Sequence, residues 1–111
     1  MTNKQFLECY METQDYDDRD AYVSDMCLSA IWEDAEGAAI PLERITAVGN
    51  IWDAVHRGVK DIAAAAGISQ RKLAERFCVP YRTMDDWCRG VRTPPDYVRL
   101  MMQECLGILN R

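Results

Sequence analysis

Ser69-Gln70-Arg71-Lys72-Leu73-Ala74-Glu75-Arg76-Phe77-Cys78-Val79-Pro80-Tyr81-Arg82-Thr83-Met84-Asp85-Asp86-Trp87-Cys88-Arg89-Gly90 is the stretch that decides the fold. Ser69 is placed to cap a helix whose inward residues are Leu73, Ala74 and Phe77. Cys78-Val79-Pro80 then makes a short turn. A second helix, from about Pro80 to Arg89, carries Met84 and Trp87 inward and stops at Gly90. Small Ala74 lets the two helices cross closely, and Val79 pins the turn from inside. Mechanically this is a helix-turn-helix with Tyr81, Arg82, Thr83 and Asp86 facing outward.

The same three- and four-residue apolar spacing recurs toward the N-terminus. Phe6, Leu7, Tyr10 and Met11 form the apolar side of a short helix that Thr2 or Asn3 caps. Val23, Met26, Cys27, Ala30 and Ile31 form the stripe of a second, with acids near its start that suit the helix dipole. Pro41 suits the first turn of a third helix, whose inward residues are Leu42, Ile45, Val48, Trp52 and Val55. Gly58 ends or kinks it, and the alanines of Val59 to Ala66 favour a further short helix closed by Gly67. One bent helix from Pro41 to Ala66 is the alternative. With no alternating β-branched run, no hairpin signal and no internal repeat, the expected fold is all-α: a helical N-terminal extension followed by a helix-turn-helix domain.

Composition bounds the rest. The 111 residues are 49% hydrophobic and 28% charged, with a net charge of −5, enough apolar material for a core in one compact domain or a small domain with an extension. No apolar run approaches the roughly 20 residues of a bilayer span, and Met1-Thr2-Asn3-Lys4-Gln5 lacks a signal-peptide pattern, so a cytoplasmic protein without membrane contact is expected. The five cysteines are odd in number, scattered and never spaced as C-x-x-C, and read as small buried hydrophobes rather than a disulfide or zinc framework. Charge divides unevenly. Residues 1–56 carry three bases and twelve acids, a net of −9, while residues 57–111 carry ten bases and six acids, a net of +4. The chain therefore reads as an acidic helical region, 1–56, and a basic-leaning domain, 57–111.

Ser69-Gln70, Leu73-Ala74, Val79, Thr83, Met84, Trp87 and Gly90, with the tail Arg92-Thr93-Pro94-Pro95-Asp96-Tyr97-Val98, resemble the Xre/Cro-repressor-like helix-turn-helix superfamily over about residues 59–106. The resemblance implies that the helix from Pro80 enters the major groove of double-stranded DNA. Arg82 would contact a base, with Tyr81, Thr83 and Asp86 beside it. Gln70 would touch a phosphate or pack on Tyr81, and Arg71, Arg89 and Arg92 would hold the phosphate backbone. Cys78 departs from the pattern, since the family commonly has Gly there, at positive φ. Asp85 and Asp86 stand beside the proposed contacts and would repel phosphate unless one accepts from cytosine N4.

Catalytic signals are weak. Ser69-x-x-Lys72 lacks the partner motifs of serine acyl-enzymes. His56 is the lone histidine, no Gly-rich phosphate loop is present, and no cofactor or metal is implied. The expectation is a DNA-binding transcriptional regulator of bacterial or phage type, pairing as a homodimer, with Phe6, Tyr10, Tyr16 and Tyr22 as exposed candidates for the dimer contact. The rival expectation is a protein-interaction module, antitoxin-like or a phage-encoded inhibitor, that keeps the helix-turn-helix scaffold while its acidic surface, the N-terminal region above all, binds a basic protein partner.

Overall fold

The structure, a computed structural model, describes residues 1–111. It is all-helical, with seven α-helices: α1 (Asn3–Glu12), α2 (Arg19–Cys27), α3 (Leu42–His56), α4 (Val59–Ala66), α5 (Gln70–Arg76), α6 (Tyr81–Cys88) and α7 (Asp96–Cys105). Single 3-10 turns follow α1 and α2. Gly58 separates α3 from α4 as the N-cap of α4, so the segment after Pro41 is two helices. No helix is long and apolar enough to cross a membrane. The chain divides into two compact units, Met1–Asp53 with Asn110–Arg111, and Ala54–Leu109. The division falls inside α3, slightly before the point where charge splits the sequence.

In the first unit Thr2 caps α1 through a reciprocal pair. Gln5 N donates to Thr2 Oγ1 at 3.0 Å, and Thr2 N donates to Gln5 Oε1 at 2.8 Å. The buried residue of α1 is Cys9, while Leu7 and Met11, expected on the inner face, are 51% and 55% exposed. Tyr22, expected at the surface as a dimer contact, is instead fully buried. Its hydroxyl donates to Cys9 O at 2.7 Å and its ring lies 5.1 Å from that of Trp52. Phe6, Tyr10 and Tyr16 are half-buried, and the Tyr16 hydroxyl donates to Asp25.

The apolar stripe of α2 does not run on as one helix. It breaks after Cys27, and Ala30–Trp32 form a 3-10 turn started by the Ser29 side chain. The carbonyls freed at the end of α2 take side-chain donors from this region: Trp32 Nε1 to Met26 O at 2.8 Å and Arg44 Nη1 to Cys27 O at 3.1 Å. Arg44 also grips Asp34, at 2.7 Å on one arm, and holds its carboxyl below the usual carboxylate range. In α3 the buried residues are Val48, Ile51, Trp52, Ala54 and Val55, whereas Leu42 and Ile45, expected inside, are exposed. Gly49 leaves room for the Arg19 guanidinium, which bridges to Asp53; an added Cβ would lie 2.5 Å from Arg19 Nη2.

The second unit centres on Val59, Ala63, Leu73, Ala74, Met84 and Met102, with Ile68, Phe77, Val79, Trp87, Val98 and Leu106 packed around them. α5 packs on α6, and α4 touches α5, α6 and α7. The small residues Ala63 and Ala74 are buried within this cluster. Fully buried Gln103 organises the polar side: its Nε2 donates to Ala54 O at 2.8 Å while its Oε1 accepts from Arg57 Nη1 at 3.0 Å. Arg99 Nη1 donates to Val55 O and Arg57 O, both at 2.8 Å, placing a cation on the carbonyls at the C-terminus of α3.

Two of the five cysteines fit the sequence expectation fully. Cys9 and Cys27 are buried, Cys88 is half-buried, and Cys78 and Cys105 are exposed; none is paired. Cys78 is exposed because it occupies the left-handed position that closes α5, at φ 55°.

Candidate nucleic-acid interface

Met84 fixes the orientation of α6. It is fully buried, and at 100° per residue it turns Arg82, Asp86 and Arg89 toward the opposite face. The chain can enter α6 at this angle because the end of α5 is closed tightly. Cys78 N donates to Glu75 O, Val79 N donates to Ala74 O at 2.9 Å, and Val79 drops into the core cluster. Pro80 then starts α6 without a side-chain cap.

Of the residues expected to form the site, three meet around the first turns of α5 and α6: Gln70, Arg71 and Tyr81. Tyr81 is 44% exposed, and the Arg71 guanidinium lies 4.4 Å from its ring centroid, a cation–π stack that holds both side chains. Gln70 Nε2 lies 3.4 Å from the Tyr81 hydroxyl and donates to Asp85 Oδ1 at 3.1 Å. Arg82 is exposed and forms no ion pair, although Asp86 is one turn further along the helix. Thr83 is half-buried beside Met84, and Arg92 is exposed beyond the end of α6.

Arg89 explains why Arg82 is free. Its Nε lies 3.1 Å from Asp85 Oδ2 and its Nη2 lies 3.4 Å from Asp86 Oδ1, so one guanidinium serves both acids of the helix. Asp86 is accordingly half-buried and engaged with Arg89, and its carbonyl accepts from Val91 N and Arg92 N. Asp85, expected as a charge that repels phosphate or as an acceptor from cytosine N4, holds Gln70 on one oxygen and Arg89 on the other. The four-residue spacing of Asp85 and Arg89 is the sequence signal for the second of these contacts.

Residues 70–92 carry six bases and three acids, a net of +3. By structural unit the charges are −8 on Met1–Asp53 with Asn110–Arg111, from four bases and twelve acids, and +3 on Ala54–Leu109, from nine bases and six acids. No group of three or more His, Cys, Asp and Glu is placed to hold a metal ion. The arrangement can offer the Arg82 guanidinium and the Tyr81 hydroxyl to a polyanion. No family model, curated protein or solved structure matches the chain.

Proposed function

We propose that the chain binds double-stranded DNA in a sequence-selective way, as a repressor-like transcriptional regulator, with α5 and α6 acting as a helix-turn-helix and α6 as the helix that reads the major groove. The observation that carries this reading is Arg82. It stands exposed on the face of a short helix opposite buried Met84, without an ion pair, in a stretch of net positive charge. A guanidinium so placed can bond guanine O6 and N7 together, which is worth about 1–3 kcal/mol of discrimination. The first turn of α6, lacking a side-chain cap, adds unsatisfied N–H groups suited to a phosphate. Arg71 and Arg92 supply backbone contacts, and Arg89 supplies one when a phosphate displaces its acids. Pairing as a homodimer, which would double the reading surface, and residence in the cytoplasm belong to the same proposal.

Binding to labelled duplexes across a salt series tests it. Affinity should fall steeply with rising salt. Arg82→Ala should relax preference at one base pair, while Arg92→Ala should weaken all sequences alike. Absence of any salt-dependent duplex binding would remove the reading.

A protein-interaction role is favoured by one observation in the first unit. Of its twelve carboxylates, only Asp34 and Asp53 form ion pairs within the fold, which leaves an acidic surface available to a basic partner. If the chain fails to bind duplexes but forms a stable complex with a basic protein encoded beside it, this second reading replaces the first.

A further inference from the structure

The resemblance assigns Gln70 either to a phosphate or to packing on Tyr81, and a phosphate contact requires its amide nitrogen to donate. The geometry around Gln70 commits that nitrogen elsewhere. Asp85 Oδ1, 3.1 Å away, is a carboxylate oxygen and can only accept, so the atom facing it is Nε2. The second hydrogen on Nε2 points toward the Tyr81 hydroxyl at 3.4 Å. Gln70 Oε1 is left as the amide atom with no partner in the fold, and it is not buried. Because the Tyr81 oxygen is approached by a donor, its own O–H is directed away from Gln70. Asp85 is in turn held by Arg89 Nε at 3.1 Å.

We infer that Asp85 is a positioning residue that converts Gln70 from a phosphate donor into an acceptor, so that Gln70 recognises an exocyclic amino group on a base edge and phosphate contact passes to the Tyr81 hydroxyl. Adenine N6 and cytosine N4 present such donors in the major groove; guanine O6 and thymine O4 do not. The inference rests on the DNA-binding reading and adds to it the class of base that this position selects.

The test uses the full chain. A preferred site is first selected from random duplexes, and affinities for that site and for an unrelated duplex are then compared among variants. Gln70→Ala should lower preference about three- to tenfold at one base pair bearing an amino group, the range expected for one neutral hydrogen bond, and leave affinity for the unrelated duplex unchanged. Asp85→Ala should relax the same position, and adding Gln70→Ala to it should cause no further loss there. Asp86→Ala removes an equal charge beside Arg89 without touching Gln70, and should keep the preference while raising affinity for both duplexes.

Tyr81→Phe should weaken both duplexes alike. In the DNA-free protein, the Gln70 side-chain amide resonances should move in Asp85→Ala and stay in place in Asp86→Ala; unmoved resonances in Asp85→Ala would overturn the inference without reference to DNA. If a preferred site emerges but Gln70→Ala weakens all duplexes equally, Gln70 is a phosphate donor and the inference alone fails. If no preferred site emerges, the underlying reading fails with it.

Discussion

Replacing Cys78 with glycine should stabilise the protein, although it removes a side chain. Four helix ends in the second unit close in the same way, with a left-handed residue followed by an apolar one. The left-handed residues are Gly67 (φ 69°), Cys78 (φ 55°), Gly90 (φ 77°) and Gly107 (φ 70°). The residues after them, Ile68, Val79, Val91 and Ile108, donate to Ala63 O, Ala74 O, Asp86 O and Gln103 O at 3.1, 2.9, 2.9 and 3.1 Å. Only the second of these positions carries a Cβ. The left-handed region costs a residue with a Cβ about 1–2 kcal/mol, and glycine returns about 0.4–1 kcal/mol of that through its freer unfolded chain. The exposed Cys78 thiol contributes little burial to set against the gain. The net expectation for Cys78→Gly is a gain of about 1 kcal/mol, a rise in Tm of roughly 3–5 °C, read by thermal and urea denaturation.

Cys78→Ala keeps the Cβ and should lie within about 0.5 kcal/mol of the parent. Gly90→Ala meets no atom within 4 Å of its new Cβ, so its loss would isolate the backbone cost at a matching cap. If Cys78→Ala stabilised as much as Cys78→Gly, the thiol rather than the left-handed backbone would be the source of strain.

Thiol chemistry and the buried polar network give two more tests. Burial pushes the Cys9 thiol from its ordinary value near 9 up to about 11. A raised value means that stability is complete below pH 9 and is lost as pH climbs toward 11, by roughly 3 kcal/mol for this group. Urea midpoints at pH 8 and pH 10.5 should therefore diverge, and Cys9→Ala should shrink the difference without abolishing it, because burial also raises Tyr22. A thiol reagent at pH 8 should label Cys78 and Cys105 quickly and Cys9 and Cys27 only after unfolding. Gln103→Ala should destabilise by about 1–3 kcal/mol, since it removes the buried donor to the Ala54 carbonyl, leaving that oxygen only Arg57 N, and the acceptor of the Arg57 guanidinium; Gln103→Leu should not recover the loss, and chemical denaturation measures both.

Helical periodicity is readable where each apolar stripe packs within one small unit, and it blurs where the partner lies far along the chain. Leu73, Ala74, Met84 and the turn residue Val79 occupy the core positions expected of them, because α5 and α6 bury each other's faces across a four-residue connection. In α1 the spacing of Phe6, Leu7, Tyr10 and Met11 marks a broad apolar side but not its centre. That centre is Cys9, whose backbone carbonyl accepts from the Tyr22 hydroxyl thirteen residues away. Tyr22 looked like a surface aromatic for the same reason: its partners, Cys9 O and the Trp52 ring, come from other helices. The break after Cys27 carries neither Gly nor Pro, so Ala30 and Ile31 continue the helical spacing after the helix has ended. At Leu42 and Ile45 the apolar stripe runs on into the first turn of α3, where both side chains are exposed.

The outward face of α6 was legible because buried Met84 fixes it, but the pairing of its charges was not, and that pairing sets what a phosphate would meet. A charge sum counts Asp85 and Asp86 as two free acids competing for Arg82. In the structure Arg89 occupies both, and at 62% side-chain exposure its ion pairs are weak, worth about 0.3–0.5 kcal/mol each as helix pairs one turn apart. Arg89 therefore shields Arg82 at small cost and can still be drawn off by a phosphate. If the chain binds duplexes as proposed, Arg89→Ala should weaken that binding by more than one lost phosphate contact, because Asp86 becomes available to pair with Arg82 across one turn. Arg89→Ala combined with Asp86→Ala should bind more tightly than Arg89→Ala alone and recover preference at the base pair that Arg82→Ala relaxes. If the second substitution raises affinity for every duplex equally and leaves that preference unrecovered, Asp86 acts only through its charge, and the shielding of Arg82 by Arg89 has no part in recognition.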